Sequence, residues 1–201
     1  MTALANVDLV LASTSRYRRE LLARLTADFR CMAPDVGEKP LAGENPAALA
    51  DRLALAKAQA VAANSSDAIV IGSDQVAHID GAAEIFGKPG TPENAHAQLA
   101  ACSGRVVLFR TSVCAVDTRH PPHRLRTAQD TTRVHFRTLD AGTIARYVER
   151  ERPLDCAGSF KCEGLGIALF ERIESEDPTA LIGLPLIALC RLLRELGIEV
   201  P

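Results

Sequence analysis

The sequence predicts an α/β fold, and three observations carry that prediction. Short runs of β-branched residues, such as Ile69-Val70-Ile71, alternate along the chain with stretches whose apolar residues recur at helical spacing. Those runs are continuous rather than alternating, as in strands covered on both faces. The 201 residues, 47% hydrophobic and 24% charged, suffice for one core, and no repeat or linker divides them. Residues 1–201 are therefore expected to form a single domain.

Taken in order, Val7 to Ala12 is a strand that breaks at Ser13-Thr14-Ser15, where hydroxyls cap a helix running to Leu25. Phe29 to Ala33 reads as a second strand, followed by a loop through Asp35, Glu38, Pro40 and Gly43. Asn45-Pro46 opens a long helix with proline at its first position. Its inward stripe is expected at Leu49, Leu53, Ala56 and Ala60, with Lys57 beside it snorkelling to water. Ile69 to Gln75 is a buried strand. Gly72 within it permits a turn or a close approach to a ligand, and Asp74 is placed at its carboxyl end, where open α/β sheets bind ligands. A turn-capping role for Asp74 is the alternative.

Phe86-Gly87-Lys88-Pro89-Gly90 is a rigid loop presenting one lysine, without a Walker-type phosphate-loop pattern. Thr91-Pro92 caps a helix that reaches Ala100. Arg105 to Val116 is a strand, His120 to His123 a surface excursion with no metal role, and Thr132 to Arg137 a half-exposed strand. Asp140 caps a helix through Val148. Gly158, Gly164 and Gly166 surround Lys161 and Glu163. Ile167 to Ile173 is expected as a strand. A final helix after Gly183-Leu184-Pro185 buries Leu186, Leu189, Leu193 and Leu196.

Composition excludes several functions. A net charge of -2 argues against a general nucleic-acid or membrane surface. No apolar run is long enough to cross a bilayer, and the N-terminus lacks a signal-peptide pattern. The six cysteines form no Cys-x-x-Cys pair, so they read as free thiols in a reducing cytoplasm. A homodimer is compatible with the residues, but none requires it.

Arg16, Arg18 and Arg19 stand in the first turn of a helix, the end that already carries partial positive charge. Guanidinium groups, hydroxyls and exposed N–H groups together make an anion site there. A solvated basic face is the alternative; the anion site is favoured because the charges stand at the wrong helix end for stability.

Leu11-Ala12-Ser13-Thr14-Ser15-Arg16-Tyr17-Arg18-Arg19-Glu20-Leu21-Leu22 resembles the N-terminal signature of the Maf-type nucleotide pyrophosphatases. Gly72-Ser73-Asp74-Gln75, Gly87-Lys88-Pro89, Gly158-Ser159-Phe160-Lys161 with Glu163-Gly164, and Asp177-Pro178 with Gly183-Leu184-Pro185 resemble its later motifs, in the same order. Tyr17, Gln75 and Glu163 look like the 7-methyl-GTP pyrophosphatase branch. The resemblance implies a Maf/ITPase-like fold, with a long mixed sheet flanked by helices and a substrate cleft. It implies cleavage between the α- and β-phosphates of a nucleoside triphosphate, with Mg²⁺, Mn²⁺ or Co²⁺.

By motif matching, Asp74 takes the proton acceptor's place, and Glu38 with Asp74 the metal's. Ser13, Arg18, Arg19, Lys57, Lys88 and Lys161 fall at phosphate-handling positions, and Tyr17, Gln75 and Glu163 at specificity positions. Arg16 stands where this branch usually has proline, and Gly37 where an acid often precedes Glu38. A dTTP/UTP or broad modified-nucleotide pyrophosphatase is a second reading, and a non-catalytic nucleotide-binding regulator linked to cell division a third.

Overall fold

The computed structural model describes residues 2–82 and 84–200. Its elements in chain order are β1 (Thr2–Ala3), β2 (Asp8–Leu11), α1 (Arg16–Leu22), β3 (Arg30–Cys31), α2 (Pro46–Ala62), β4 (Ala68–Ile79) and β5 (Ile85–Phe86). There follow α3 (Pro92–Cys102), β6 (Val106–Asp117), β7 (Arg124–Phe136), α4 (Ala141–Glu151), β8 (Phe170–Glu174), α5 (Leu186–Glu195) and β9 (Ile198–Glu199). The main sheet has the order β3-β2-β4-β6-β7-β8, with β5 pairing β4 to one side. Strands β3, β2 and β4 run parallel, and β4, β6, β7 and β8 pair antiparallel. β1 and β9 form a separate parallel pair.

The expected mixed sheet flanked by helices is what the chain forms. One face of β2, β4 and β6 packs on α1 and α5 through Leu9, Leu11, Ile69, Ile71, Leu189 and Leu193. The other face packs on α2 through Val10, Val70, Ala54, Ala58 and Val61. A further apolar cluster joins α3 and α4 to the far ends of β6 and β7.

Several expectations change. β4 does not turn at Gly72 but continues to Ile79, pairing with β6 along its length. Gly72 serves a helix instead of a ligand: a Cβ there would stand 2.3 Å from the Ala54 carbonyl oxygen and 2.6 Å from the Ala58 nitrogen. Absence of that Cβ lets α2 settle against β4. Asp74 therefore lies inside a strand. It still lies beyond the parallel pairing with β2, which ends at Leu11↔Ile71.

The inward stripe of α2 holds Leu49 and Leu53 as expected, but continues through Ala54, Lys57, Ala58 and Val61 in place of Ala56 and Ala60. β7 starts at Arg124, earlier than its apolar alternation, because the polar residues before Thr132 pair along β6. Leu165–Leu169 is a 3-10 turn, so the strand expected from Ile167 begins at Phe170. Leu186, Leu189, Leu193 and Leu196 are buried as expected.

Candidate active site

Two-residue alternation along β4 sets up the site. Val70, Gly72, Asp74 and Val76 face α2; Ile69, Ile71, Ser73 and Gln75 face the side of α5 and the turn before it. Lys57 sits on the buried face of α2, one turn from Leu53 and Ala54, so its side chain runs toward Asp74. It does not snorkel to water. Its Nζ donates to Oδ1 of Asp74 at 2.6 Å and lies 2.6 Å from Oε1 of Glu38. The alkyl stem crosses the apolar interface, and the ammonium meets two acids at its end. Buried charges of this kind persist only when paired. Among the described residues nothing else bonds the Asp74 carboxylate, and Asp74 lines the cleft.

That cleft has a volume of about 890 Å³. Ser13, Tyr17, Arg18, Glu38, Lys57, Asp74, Gln75, Lys88 and Glu163 line it, together with Asp155, Cys156 and Phe160.

Arg18 is fixed from two sides. Ser15 caps α1 by accepting from the Arg18 nitrogen, and the Arg18 Nε donates to the Gly183 carbonyl at 2.9 Å. That carbonyl also accepts from Ser73 Oγ at 2.9 Å. Gly183 has φ +122, a backbone open chiefly to glycine. Its turn is held by Asp177, which accepts from the Thr179 nitrogen and hydroxyl and from the Ile187 and Ala188 nitrogens that open α5. The Asp177-Pro178 and Gly183-Leu184-Pro185 motif is thus a clip that caps a helix and aims an arginine. Burial pushes the Arg18 guanidinium below its ordinary value, with Asp74 and Glu38 pulling the other way. Arginine stays charged regardless.

Lys88 is exposed and, among the described residues, has no bonded partner; its charge pulls down the Glu38 carboxyl, as do Lys57 most strongly and Arg18. Ser13 Oγ accepts from the Ser15 nitrogen, tightening the loop.

Two expected phosphate ligands lie elsewhere. Arg19 follows Arg18 on α1, about 100° around the helix axis. It is exposed beside a separate depression with Ala23 and Phe29. Lys161 turns its Nζ to the Glu151 carbonyl at 2.7 Å, where the last carbonyls of α4 lack partners of their own. Phe160, one residue earlier, anchors this loop edge-on against Phe109, Phe136 and Phe170, with centroids 5.2, 5.7 and 4.7 Å away. The cleft receives Phe160 and Glu163 from this stretch, and the ammonium points away.

Gln75 lines the cleft and also has a structural task. Its amide nitrogen donates to Thr111 Oγ1 and to the Ala180 and Leu181 carbonyls, at 2.9–3.0 Å, tying β4 to the turn that carries Gly183. Tyr17 is half-buried, and its hydroxyl donates to Asp155 at 3.3 Å. Burial raises its phenol, opposed by the Arg16 hydrogen bond. The Arg16 guanidinium sits over the Tyr17 ring, 4.6 Å from its centroid. Glu163 is exposed at the cleft wall. Cys156 is pushed up to about 11 and Cys162 to about 12 by burial, so neither is a thiolate nucleophile at neutral pH.

Arg16 is the first residue of α1, and Ser15 before it is extended at φ -68, ψ 121. Proline would fit the same backbone, so this loop shape does not depend on having arginine there. Ser73, Asp155 and the Gly183 carbonyl escape sequence reasoning. Ser73 could have been found from its alternation with Asp74; Asp155 lies in an irregular segment that carries no signal.

The sequence pattern of the family described as Maf-like protein matches residues 8–196. The chain is 57% identical over 193 residues to the 7-methyl-GTP pyrophosphatase of Xanthomonas axonopodis pv. citri, covering 96% of this chain and 98% of that one. It is 51% identical to the enzyme of the same name from Pseudomonas aeruginosa, covering 96% and 99%. Its fold is similar to the structure of the Staphylococcus aureus Ham1 protein, with a TM-score of 0.50 at 13% identity over 94% of this chain and 98% of the other.

Proposed function

The chain belongs to the Maf-like protein family, and from that premise we propose that it is a nucleotide pyrophosphatase converting 7-methyl-GTP to 7-methyl-GMP and pyrophosphate. One observation carries the reading: the Asp74 carboxylate, positioned by Lys57, opens into a cleft that also presents Arg18 and Lys88. A triphosphate has about four negative charges near neutral pH. Arg18 and Lys88 meet that charge, and Lys57 lies within reach of it. Asp74 orients the attacking water and accepts its proton. The water oxygen adds at the α-phosphorus, the bond from that phosphorus to the bridging oxygen breaks, and the electron pair leaves on pyrophosphate. Such chemistry rests mainly on positioning and charge stabilisation, with the general base contributing roughly 10²–10⁴-fold.

A divalent cation fits the donor set in one restricted sense. Among the described residues no three acidic, histidine or cysteine side chains converge as a metal cage. Glu38 and Asp74 supply two carboxylates, which suits Mg²⁺-like ions held by one or two acids together with substrate phosphates. When bound, the cation neutralises developing charge on the phosphate oxygens.

Tyr17, Asp155 and Glu163 are the base end of the cleft in this reading. N7-methylguanine is cationic, so the ring of Tyr17 attracts it by about 0.5–2 kcal/mol. The two acids favour the methylated base over neutral ones. No helix among the described residues is long and apolar enough to cross a membrane, and the six free cysteines suit a reducing cytoplasm.

Pyrophosphate release measured on 7-methyl-GTP, GTP, dTTP and UTP tests the proposal. The highest kcat/KM is expected for 7-methyl-GTP. A preference for UTP would overturn the base assignment, and no release from any triphosphate would favour the regulator reading.

A further inference from the structure

Lys57, Arg18 and Lys88 stand around Glu38 and Asp74 in the cleft. Lys57 bridges Glu38 and Asp74 at 2.6 Å each. Arg18 and Lys88 act on the same acids: both lower the Glu38 carboxyl, and Arg18 also feels Asp74. Three cations against two carboxylates leave this set one unit positive. A free divalent cation approaching Glu38 and Asp74 meets an ammonium already seated between them. It must break two short ion pairs against the repulsion of that ammonium, and the protein offers it only two acids in return.

A polyphosphate reverses the balance. Its charge outweighs the surplus, gives Lys57 a new partner, and brings the oxygens that complete a cation's coordination. We propose that Lys57 is a built-in counter-cation that bars a free divalent metal from the Glu38–Asp74 pair, so that metal is held here only together with a polyphosphate. This deepens the nucleotide reading above and rests on it for the identity of the polyphosphate. Lys57 is in this account a gate on the order of binding as well as a support for Asp74.

The test uses the full chain freed of metal, with two probes and no turnover. Mn²⁺ alone is titrated in and free Mn²⁺ read by electron paramagnetic resonance. Inorganic tripolyphosphate is titrated separately by calorimetry in the presence of a chelator. The wild-type chain is expected to show no saturable one-to-one Mn²⁺ site below millimolar concentration, and saturable tripolyphosphate binding without metal. Lys57→Met, checked for folding by circular dichroism, is expected to bind Mn²⁺ alone at least roughly tenfold more tightly.

A saturable micromolar Mn²⁺ site on the wild-type chain, failure of tripolyphosphate to bind without metal, or unchanged Mn²⁺ affinity in folded Lys57→Met would each overturn the proposal. The two wild-type titrations decide it even where the variant does not fold. Neither probe reads hydrolysis. A chain that released no pyrophosphate from any nucleotide would remove the proposed activity without touching this order of binding, and a tight free-Mn²⁺ site would do the reverse.

Discussion

Lys57 Nζ and Asp74 Oδ1 lie 2.6 Å apart although 17 positions separate them in the chain. The pair exists because α2 packs against the face of β4 on which the even-numbered residues lie, and Gly72 is what allows α2 so close. A methyl group there would stand 2.3 Å from the Ala54 carbonyl oxygen.

Gly72→Ala is therefore expected to push α2 outward and part the ion pair. Overpacking of this kind costs about 1–3 kcal/mol, and backbone rather than a flexible side chain must move here. Denaturant unfolding and turnover measured together check it. A variant that keeps both wild-type stability and wild-type kcat would show that α2 and β4 are not held this tightly.

Asp177 supports the cleft from a distance. It is 3% exposed and accepts four hydrogen bonds, two of them from the opening of α5. Asp177→Ala should destabilise the fold by about 2–4 kcal/mol. Because the same turn presents the Gly183 carbonyl to Arg18, kcat/KM should fall as well. Asp177→Asn, which keeps an acceptor oxygen, should lose less of both. Equal losses in the two variants would contradict the capping role.

Glu38 gives the ion cluster a pH signature. Its hydrogen bond to Lys57 holds the carboxyl below the ordinary value of 4.5, with burial opposing and with Lys88 and Arg18 assisting. A depressed carboxyl contributes stability that is complete above the unfolded value and fades as pH falls through the folded one. The side chain is 61% exposed, so water screens the pair and the contribution stays within about 1 kcal/mol. Glu38→Gln is expected to differ from wild type in unfolding free energy near pH 6, with the gap closing as pH falls below the ordinary carboxyl value of 4.5. A gap that holds constant across that range would argue against the ion pair.

Arg16 competes for the ring on which a cationic base would stack, lying 4.6 Å from the centroid of Tyr17. It stands first in α1, where proline is tolerated. Arg16→Pro should lower KM for 7-methyl-GTP by roughly twofold to fivefold, from a cation–π term of about 0.5–1 kcal/mol. KM for UTP should change less. An equal change for both substrates would mean that Arg16 acts on the phosphates.

Much of this site is legible in the sequence where local chemistry decides it. Ser15 and Asn45 cap their helices as read, and the leucines of α5 face inward. Phases and partners are where reading fails. The stripe on α2 is displaced by about one residue because a lysine belongs to it, and no periodicity rule counts a charge as core. Whether Lys161 reaches phosphate or the end of α4 depends on where that helix stops in space. Arg18 and Arg19 are neighbours of equal charge, and only the rotation of α1 against the sheet separates cleft from surface. Asp177 reads as part of a motif, but the helix opening it satisfies is visible only once α5 is in place.

The most direct measurement of the central claim is turnover by Asp74→Asn. This substitution can keep the oxygen that Lys57 holds, while it removes the carboxylate charge and replaces the second oxygen with an amide nitrogen that cannot accept a proton. With 7-methyl-GTP as substrate, and with the variant's melting curve confirming its fold, kcat for pyrophosphate release is expected to fall by at least roughly 100-fold. A folded Asp74→Asn chain that released pyrophosphate within about twofold of the wild-type rate would contradict the account, because that margin is far below what a general base contributes.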